Sequence, residues 1–344
     1  MKWTIENVPE LDGYVVEWAE PDNFYLSRRN ELFHANSLKP PFKKIATADA
    51  PVWKTAASHL RLAQRLLRFA VTNVILLKNG DLFVAFDKTV GVVRNGKYQT
   101  LKNLVRPCRI LRSACGIDGN NGDVYFGEYI DNATRGAMRI YKYTSGTDAL
   151  EIAYTFPPNT IRHIHGIYFD IYTNSLFCLT GDVDEECCFW QSSDGFKTIR
   201  KVGAGDETWR AVSVLFDESS FYYGMDAEYR TNHIYKVNRR TLERKSLGEV
   251  SGTVFHSIKI GADLFFTTTA ENAPSQTENV AAVWHVDADD NLQNIVEFKK
   301  DRWHPSLFMF GKIHFPFVNR LENELYLQVV GVEEDNQTFR LKRK

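Results

Sequence analysis

The side chains able to do chemistry recur at one kind of place, beside short apolar runs. Gly127-Glu128-Tyr129 with Arg135, Arg162-His163-Ile164-His165, and Gly181-Asp182 with Asp184, Glu185 and Glu186 each follow or open such a run. So do Trp209-Arg210, Asp226 with Glu228 and Tyr229, Phe255-His256, and Glu271-Asn272. Two histidines two residues apart at a strand start share one face, where they can ligate a metal, act as an acid–base couple, or form a hydrogen-bonded core pair. His256 is the histidine that could complete a three-histidine metal site. The spacing of Asp182, Asp184, Glu185 and Glu186 suits a hard cation such as Ca2+, or a solvated acidic loop. No cofactor is required by this pattern, but it admits Ca2+ or a histidine-bound metal. Arg135, Arg162 and Arg210 fall beside these motifs, and a guanidinium matches a carboxylate with its planar fork.

These residues must be brought together by the elements between them, and the elements repeat. The runs VYFGEY at Val124, LFCLTGD at Leu176, FYYGMDAE at Phe221, LFFTTTAEN at Leu264 and ELYLQVV at Glu324 are each followed by a second alternating run. Equivalent points at Ile140, Phe189, Ile234, Val283 and Phe339 are spaced by 49, 45, 49 and 56 residues. A unit of that length with about four strands is a β-propeller blade. Two further units precede these, the second carrying Asn79-Gly80 and Asn95-Gly96 where type I′ hairpins want them. With later units starting near Ile117, His163, Ala211, Val254 and Phe308, the sequence predicts an all-β, seven-bladed propeller as one domain over residues 1–344, six blades being the alternative. The last unit is one strand short, and WTIENV at the N-terminus can supply it and close the ring. Near residues 55–70 the period changes: Ala56, Leu60, Ala63, Leu67 and Ala70 step as an amphipathic helix, read as an insertion between the first two blades. Its arginines are a solvated face, or one of them, Arg68, reaches the central funnel.

Composition narrows the partners. With 42 Lys and Arg against 43 Asp and Glu, the chain lacks the basic footprint that nucleic acid requires. Its apolar runs are far too short to span a bilayer, so neither nucleic acid nor membrane is expected as a partner. The N-terminus shows no signal peptide, which places the chain in the cytoplasm as written, or outside the cell if a leader has been removed. Its 5 cysteines show no paired metal or redox spacing and read as reduced thiols.

Ser192-Ser193-Asp194-Gly195-Phe196-Lys197-Thr198-Ile199 resembles the Asp-box, or BNR repeat, of sialidase-like propellers, with Phe196 in place of the second glycine and Ile199 in place of the closing aromatic. In that family the aspartate holds a turn remote from the chemistry. The resemblance implies arginines (here Arg135, Arg162 and Arg210) on a substrate carboxylate, a tyrosine activated by a glutamate (Glu128 and Tyr129), and an aspartate as acid–base (Asp182 or Asp226). The expected function is therefore a carbohydrate-active enzyme, a glycoside hydrolase on an acidic oligo- or polysaccharide, with Trp209, Tyr129 and Tyr229 as stacking faces and His256 and Glu271 also lining the substrate site. A polysaccharide lyase would use His163 or His165 as base, Tyr129 or Tyr229 as acid and Arg210 on the uronate. A non-catalytic glycan- or protein-binding propeller would use the same ring without a catalytic pair.

Overall fold

The second strand of each blade explains why the sequence shows its strongest apolar runs where it does. Leu82–Phe86, Ser175–Gly181, Ser220–Gly224 and Asp263–Thr268 are buried at every position, because both of their faces are covered. The outermost strands, such as Lys97–Thr100 and Leu292–Lys299, are exposed at alternate or most positions. A computed structural model describes residues 2–116, 122–276, 278–318 and 321–344. It shows seven β-sheets arranged in a ring, the architecture of a seven-bladed β-propeller. The unit start at Ile117 lies outside the described residues.

Blade 1 contains Val15–Glu20, Asn23–Arg28, Glu31–Ala35 and Lys43–Thr47, with the short strand Phe317–Val318 added in parallel along its inner edge. Blades 2 to 6 follow as successive four-stranded antiparallel sheets, with inner strands Val71–Leu76, Cys115–Gly116, His163–Asp170, Val214–Phe216 and Val254–Ile260. Blade 7 is composite: Lys312–His314, Glu324–Val330 and Thr338–Arg343 are completed by Trp3–Asn7. That strand pairs antiparallel with the C-terminal one from Trp3 opposite Arg343 to Asn7 opposite Phe339. Trp3 is buried against Phe265, so the closing strand is held by packing as well as by its ladder.

Of the two expected type I′ turns, one forms: Asn95 and Gly96 have φ of 52° and 73°. At the other only Gly80 takes positive φ, and the Asn79 side chain instead accepts from the backbone N–H of Asp81. In the Asp194 turn, the carboxylate accepts from the backbone N–H of Thr198 at 3.0 Å and from its hydroxyl at 2.8 Å. Phe196 takes a φ of 68° and is fully buried against Tyr125, filling the core beneath the turn.

The helical stretch is two short helices, Val52–Ala57 and Arg61–Leu67, rather than one amphipathic helix. Leu60 caps the second and is 71% exposed, so the predicted apolar face does not form. What anchors the second helix is charge. Arg61 forms two bonds to Asp335, at 2.8 and 2.9 Å, and buried Arg65 bonds Asp301 and the carbonyl of Phe308. The insertion between blades 1 and 2 is thereby tied to blades 6 and 7.

Adjacent blades meet at glycines that end second strands. A Cβ on Gly127 would lie 2.2 Å from Ile164, and one on Gly224 would lie 2.4 Å from Val254, each on the next blade's inner strand. Gly224→Ala is therefore expected to lower stability by about 1–3 kcal/mol through overpacking, measured by denaturant unfolding with the m-value unchanged.

Candidate functional site

The channel-facing residues come from two repeated positions, the start of each inner strand and the residues just past each second strand. Inner strands of blades 1, 2, 4 and 6 carry a register shift there, next to Glu17, Thr72, His165 and Phe255. Such bulges re-aim side chains that strict alternation would send into the blade. Past the second strands, the chain is pinned to the next blade by backbone bonds from Ile164 to Glu128 and from Val254 to Met225, while Asp226 bonds Arg210 at the start of its own blade.

In blade 4 this geometry turns His163 and His165 toward each other, with their Nε2 atoms 3.1 Å apart. Their Nδ1 atoms face the carbonyls of Ile130 and Ala211 at 3.3 and 3.0 Å. Asp182 completes the cluster, 3.3 Å from His163 Nε2 and 3.5 Å from His165 Nε2. Burial opposes the charge on Asp182, but its bonds to the two histidines overcome that and hold its carboxyl well below the usual range. Burial lowers the pKa of His165. Two imidazole nitrogens and one carboxylate, with Nδ1 atoms facing carbonyls, are a donor set that suits a divalent ion. An ion held there would fix both rings and add positive charge behind Tyr129, whose ring centroid is 4.3 Å from that of His163. Arg162 and Arg210 already approach the same carboxylate at 3.2 and 3.3 Å and would have to yield.

Arg210 joins this cluster to a second group of acids. Its guanidinium lies 3.4 Å from both Asp226 and Glu228, and its side chain is 11% exposed. Burial raises Asp226, Arg210 draws it down, and Glu271, Asp182 and Glu228 raise it again, leaving it at about 8. Glu271, bonded by Thr269 and Thr253, is also raised by burial. The Tyr129 phenol is pushed up to about 12 by burial and then by Asp226 and Asp182, so it stays protonated. The site thus holds one carboxyl raised to about 8, Asp226, near another held well below the usual range, Asp182, the separation that lets one group give a proton while another carries charge.

These acids form one side of a channel cavity of about 250 Å³. The other side is basic: Arg68, Arg109 and Arg112, with Lys312, His256 and His314. Burial holds both histidines far below their ordinary value, hence neutral.

Of the residues expected from the sequence, Tyr129, Arg210, Asp226, His256 and Glu271 line this cavity, as does Arg68. His163, His165 and Asp182 pack behind Tyr129 and Arg210. Others are elsewhere. Glu128 is fully buried inside its blade, bonded to Arg106 at 2.7 Å and Tyr141 at 3.0 Å, so it does not activate Tyr129. Strand alternation sends these neighbours to opposite faces. Arg135 pairs with Glu186, and Arg162 with Asp131 and Asp182. Trp209 stacks on Tyr223 at 5.6 Å within the blade and offers no sugar face. Tyr229 is 73% exposed and outside the cavity. The acidic run does not converge on a cation: Asp184 accepts from the backbone N–H of Glu207, and Glu186 binds Arg135 and the backbone N–H of Arg162. His256 sits beside His314, ring centroids 5.3 Å apart, and completes no three-histidine site. Arg109, Arg112, Lys312 and His314 are not among the residues the sequence singles out. A usable signal was present, since Lys312-Ile313-His314 repeats, on blade 7, the spacing of His163-Ile164-His165 on blade 4.

The chain is thus a seven-bladed β-propeller with a charge-divided central channel. No family model matches it, and no curated protein is similar to it in sequence. Solved structures similar in fold include an oligogalacturonate lyase from Vibrio parahaemolyticus, with TM-score 0.64 and 10% identity over 99% of this chain and 97% of that one. An oligogalacturonate lyase in complex with manganese matches with TM-score 0.63 and 10% identity, over 100% and 96% of the two chains. A chain of a mitotic checkpoint complex matches with TM-score 0.57 and 11% identity, over 99% and 93%. At these identities the likeness concerns the fold. Among the described residues, no helix is long and apolar enough to cross a membrane.

Because the buried Arg210 guanidinium sits 3.3 Å from Asp182 and 3.4 Å from both Asp226 and Glu228, Arg210→Met is expected to cost about 3–5 kcal/mol, the range for stripping one partner from a buried ion pair. Tyr229→Ala should leave the melting temperature nearly unchanged, and thermal unfolding of both variants compares them directly.

Proposed function

We propose that the protein is a carbohydrate-active enzyme that hydrolyses a glycosidic bond of an acidic glycan in the central channel. The observation that carries this reading is Asp226, its carboxyl raised to about 8, facing the cavity beside Glu228 across one guanidinium. Asp226 gives its proton to the leaving glycosidic oxygen as the C–O bond breaks, and a water then adds to the anomeric carbon and returns a proton to the Asp226 carboxylate. The Glu228 carboxylate supplies the negative charge that an oxocarbenium-like transition state requires. Arg210 fixes both acids, and the Tyr129 phenol remains a hydrogen-bond donor at the cavity wall. The fold likeness to two oligogalacturonate lyases supports a carbohydrate ligand.

A second reading, β-elimination from a uronate, is favoured by one observation: His256 is neutral and buried in the cavity wall, and its Nε2 has no hydrogen-bond partner. It could take a proton from carbon while Tyr129 serves as acid. Lyase products absorb in the ultraviolet and hydrolase products do not, so one assay on acidic polysaccharides separates the two.

Hydrolysis should fall as pH rises through about 8, because the raised pKa of Asp226 keeps the required proton only below that value. Asp226→Asn should lower turnover by about 10²–10⁴-fold, the usual worth of a positioned acid. A reducing-end assay across pH checks both, and an unchanged alkaline limb in a still-active Asp226→Asn protein would remove the assignment.

A further inference from the structure

The cations around the cavity fall into two sets. Most have a carboxylate partner: Arg28 and Arg29 on Glu31 at 3.5 and 3.4 Å, Arg61 on Asp335 at 2.8 Å, Arg65 on Asp301 at 2.5 Å, Arg112 on Glu17 at 2.7 Å, and Arg210 on Asp182 at 3.3 Å. Arg68, Arg109 and Lys312 are different. Among the described residues, no ion pair joins Arg68 or Lys312 to a carboxylate, and Arg109 reaches only Asp87 at 3.9 Å. The three come from separate places, the end of the second helix, the segment before blade 3 and the inner strand of blade 7, and they converge on one wall.

Their positions are fixed by the backbone. Arg68 holds a left-handed φ of 51° as the C-cap of its helix, a conformation that non-glycine residues adopt infrequently. Arg109 exchanges both backbone hydrogen bonds with Tyr129, each 3.1 Å, which ties the basic wall to the edge of the acidic one. Burial and then Arg68, Arg109, Arg112 and Arg61 bring the Lys312 ammonium down to about 7. Like charges gathered in a partly desolvated wall repel one another, and an anion between them removes that cost. A second sign of a ligand is independent of charge. His256 is 6% exposed, lines the same cavity, and its Nε2 has no hydrogen-bond partner among the described residues.

We propose that Arg68, Arg109 and Lys312 form an oxyanion subsite that holds the carboxylate or sulfate group of a sugar in the channel. It deepens the hydrolase reading, on which it rests, by placing the acidic group of the substrate on the basic wall opposite Asp226. Arg210, the arginine singled out by the sequence, is occupied by protein carboxylates. The guanidinium groups give paired donors to an oxyanion, and Lys312 adds a point charge.

Calorimetric titration of the whole chain with D-glucuronate, inorganic sulfate and glucose at low ionic strength tests the subsite. Glucuronate, sulfate or both should bind and glucose should not, and Arg68→Gln and Lys312→Met should each weaken anion binding at least about tenfold, as expected for bonds to a charged group. Asp226→Asn should bind the anion as the parent does. Arg68 is exposed at the cavity rim, so its variant remains informative if the Lys312 variant fails to fold. Preference for glucuronate identifies a uronate, and preference for sulfate a sulfated sugar. Failure of the parent to bind either anion, or binding unaffected by Arg68→Gln, overturns the subsite. Anion binding by a protein that releases no reducing ends from acidic glycans leaves the subsite standing and removes the hydrolase reading.

Discussion

The five-residue ladder between Trp3–Asn7 and the C-terminal strand turns a row of sheets into a ring, and every property of the channel depends on that closure. Side chains such as Asp182 from blade 4 and Arg210 and Asp226 from blade 5 meet only because each blade is rotated onto the next about one axis. The rotation is enforced by close contacts, of which Gly127 against Ile164 and Gly224 against Val254 are the tightest examples. Backbone bonds across the same seams carry the register from blade to blade.

Within the ring, charge is sorted by side. One half gathers carboxyl groups around a single guanidinium, and the opposite half gathers cations, two of which, Arg68 and Lys312, form no ion pair among the described residues. Low polarity in a narrow cavity strengthens both groupings relative to water, which is why an aspartate there keeps its proton and a lysine is pressed to lose one. The two halves are complementary to a molecule with an oxyanion at one end and a polar, proton-accepting bond at the other.

Much of the architecture was legible in the sequence, because second strands covered on both faces must be apolar throughout, and the runs LFCLTG and FYYG reveal them by hydrophobicity alone. The N-terminal closing strand was legible because the last unit lacked one. The helical segment was misread because its leucines and alanines follow a helical period while the contacts that hold it are ion pairs with Asp301 and Asp335, more than 230 residues away. Hydrophobic spacing carries no trace of such partners. The site was partly legible: residues just past second strands, such as Asp182 and Asp226, were found. Glu128 sits at the same kind of position yet points into its blade, and Trp209, just before an inner strand, does the same, a distinction of side-chain direction that composition does not encode. Lys312 and His314 escaped notice because a lysine beside a histidine is ordinary until four arginines are folded around it.

The clasp made by Arg61 and Arg65 has a mechanical consequence. Trp3 lies opposite Arg343, so the two ends of the chain emerge side by side, and tension applied between them would peel the closing ladder one residue pair at a time from its open end. A zipper loaded in that direction resists little force. The clasp fastens the segment between the first two blades to the last two through the bidentate Arg61–Asp335 pair and the Arg65–Asp301 bond, which the same tension loads only after the ladder has parted. The molecule would therefore yield in two stages, an early low-force peel and a later rupture, with the ring still gathered between them.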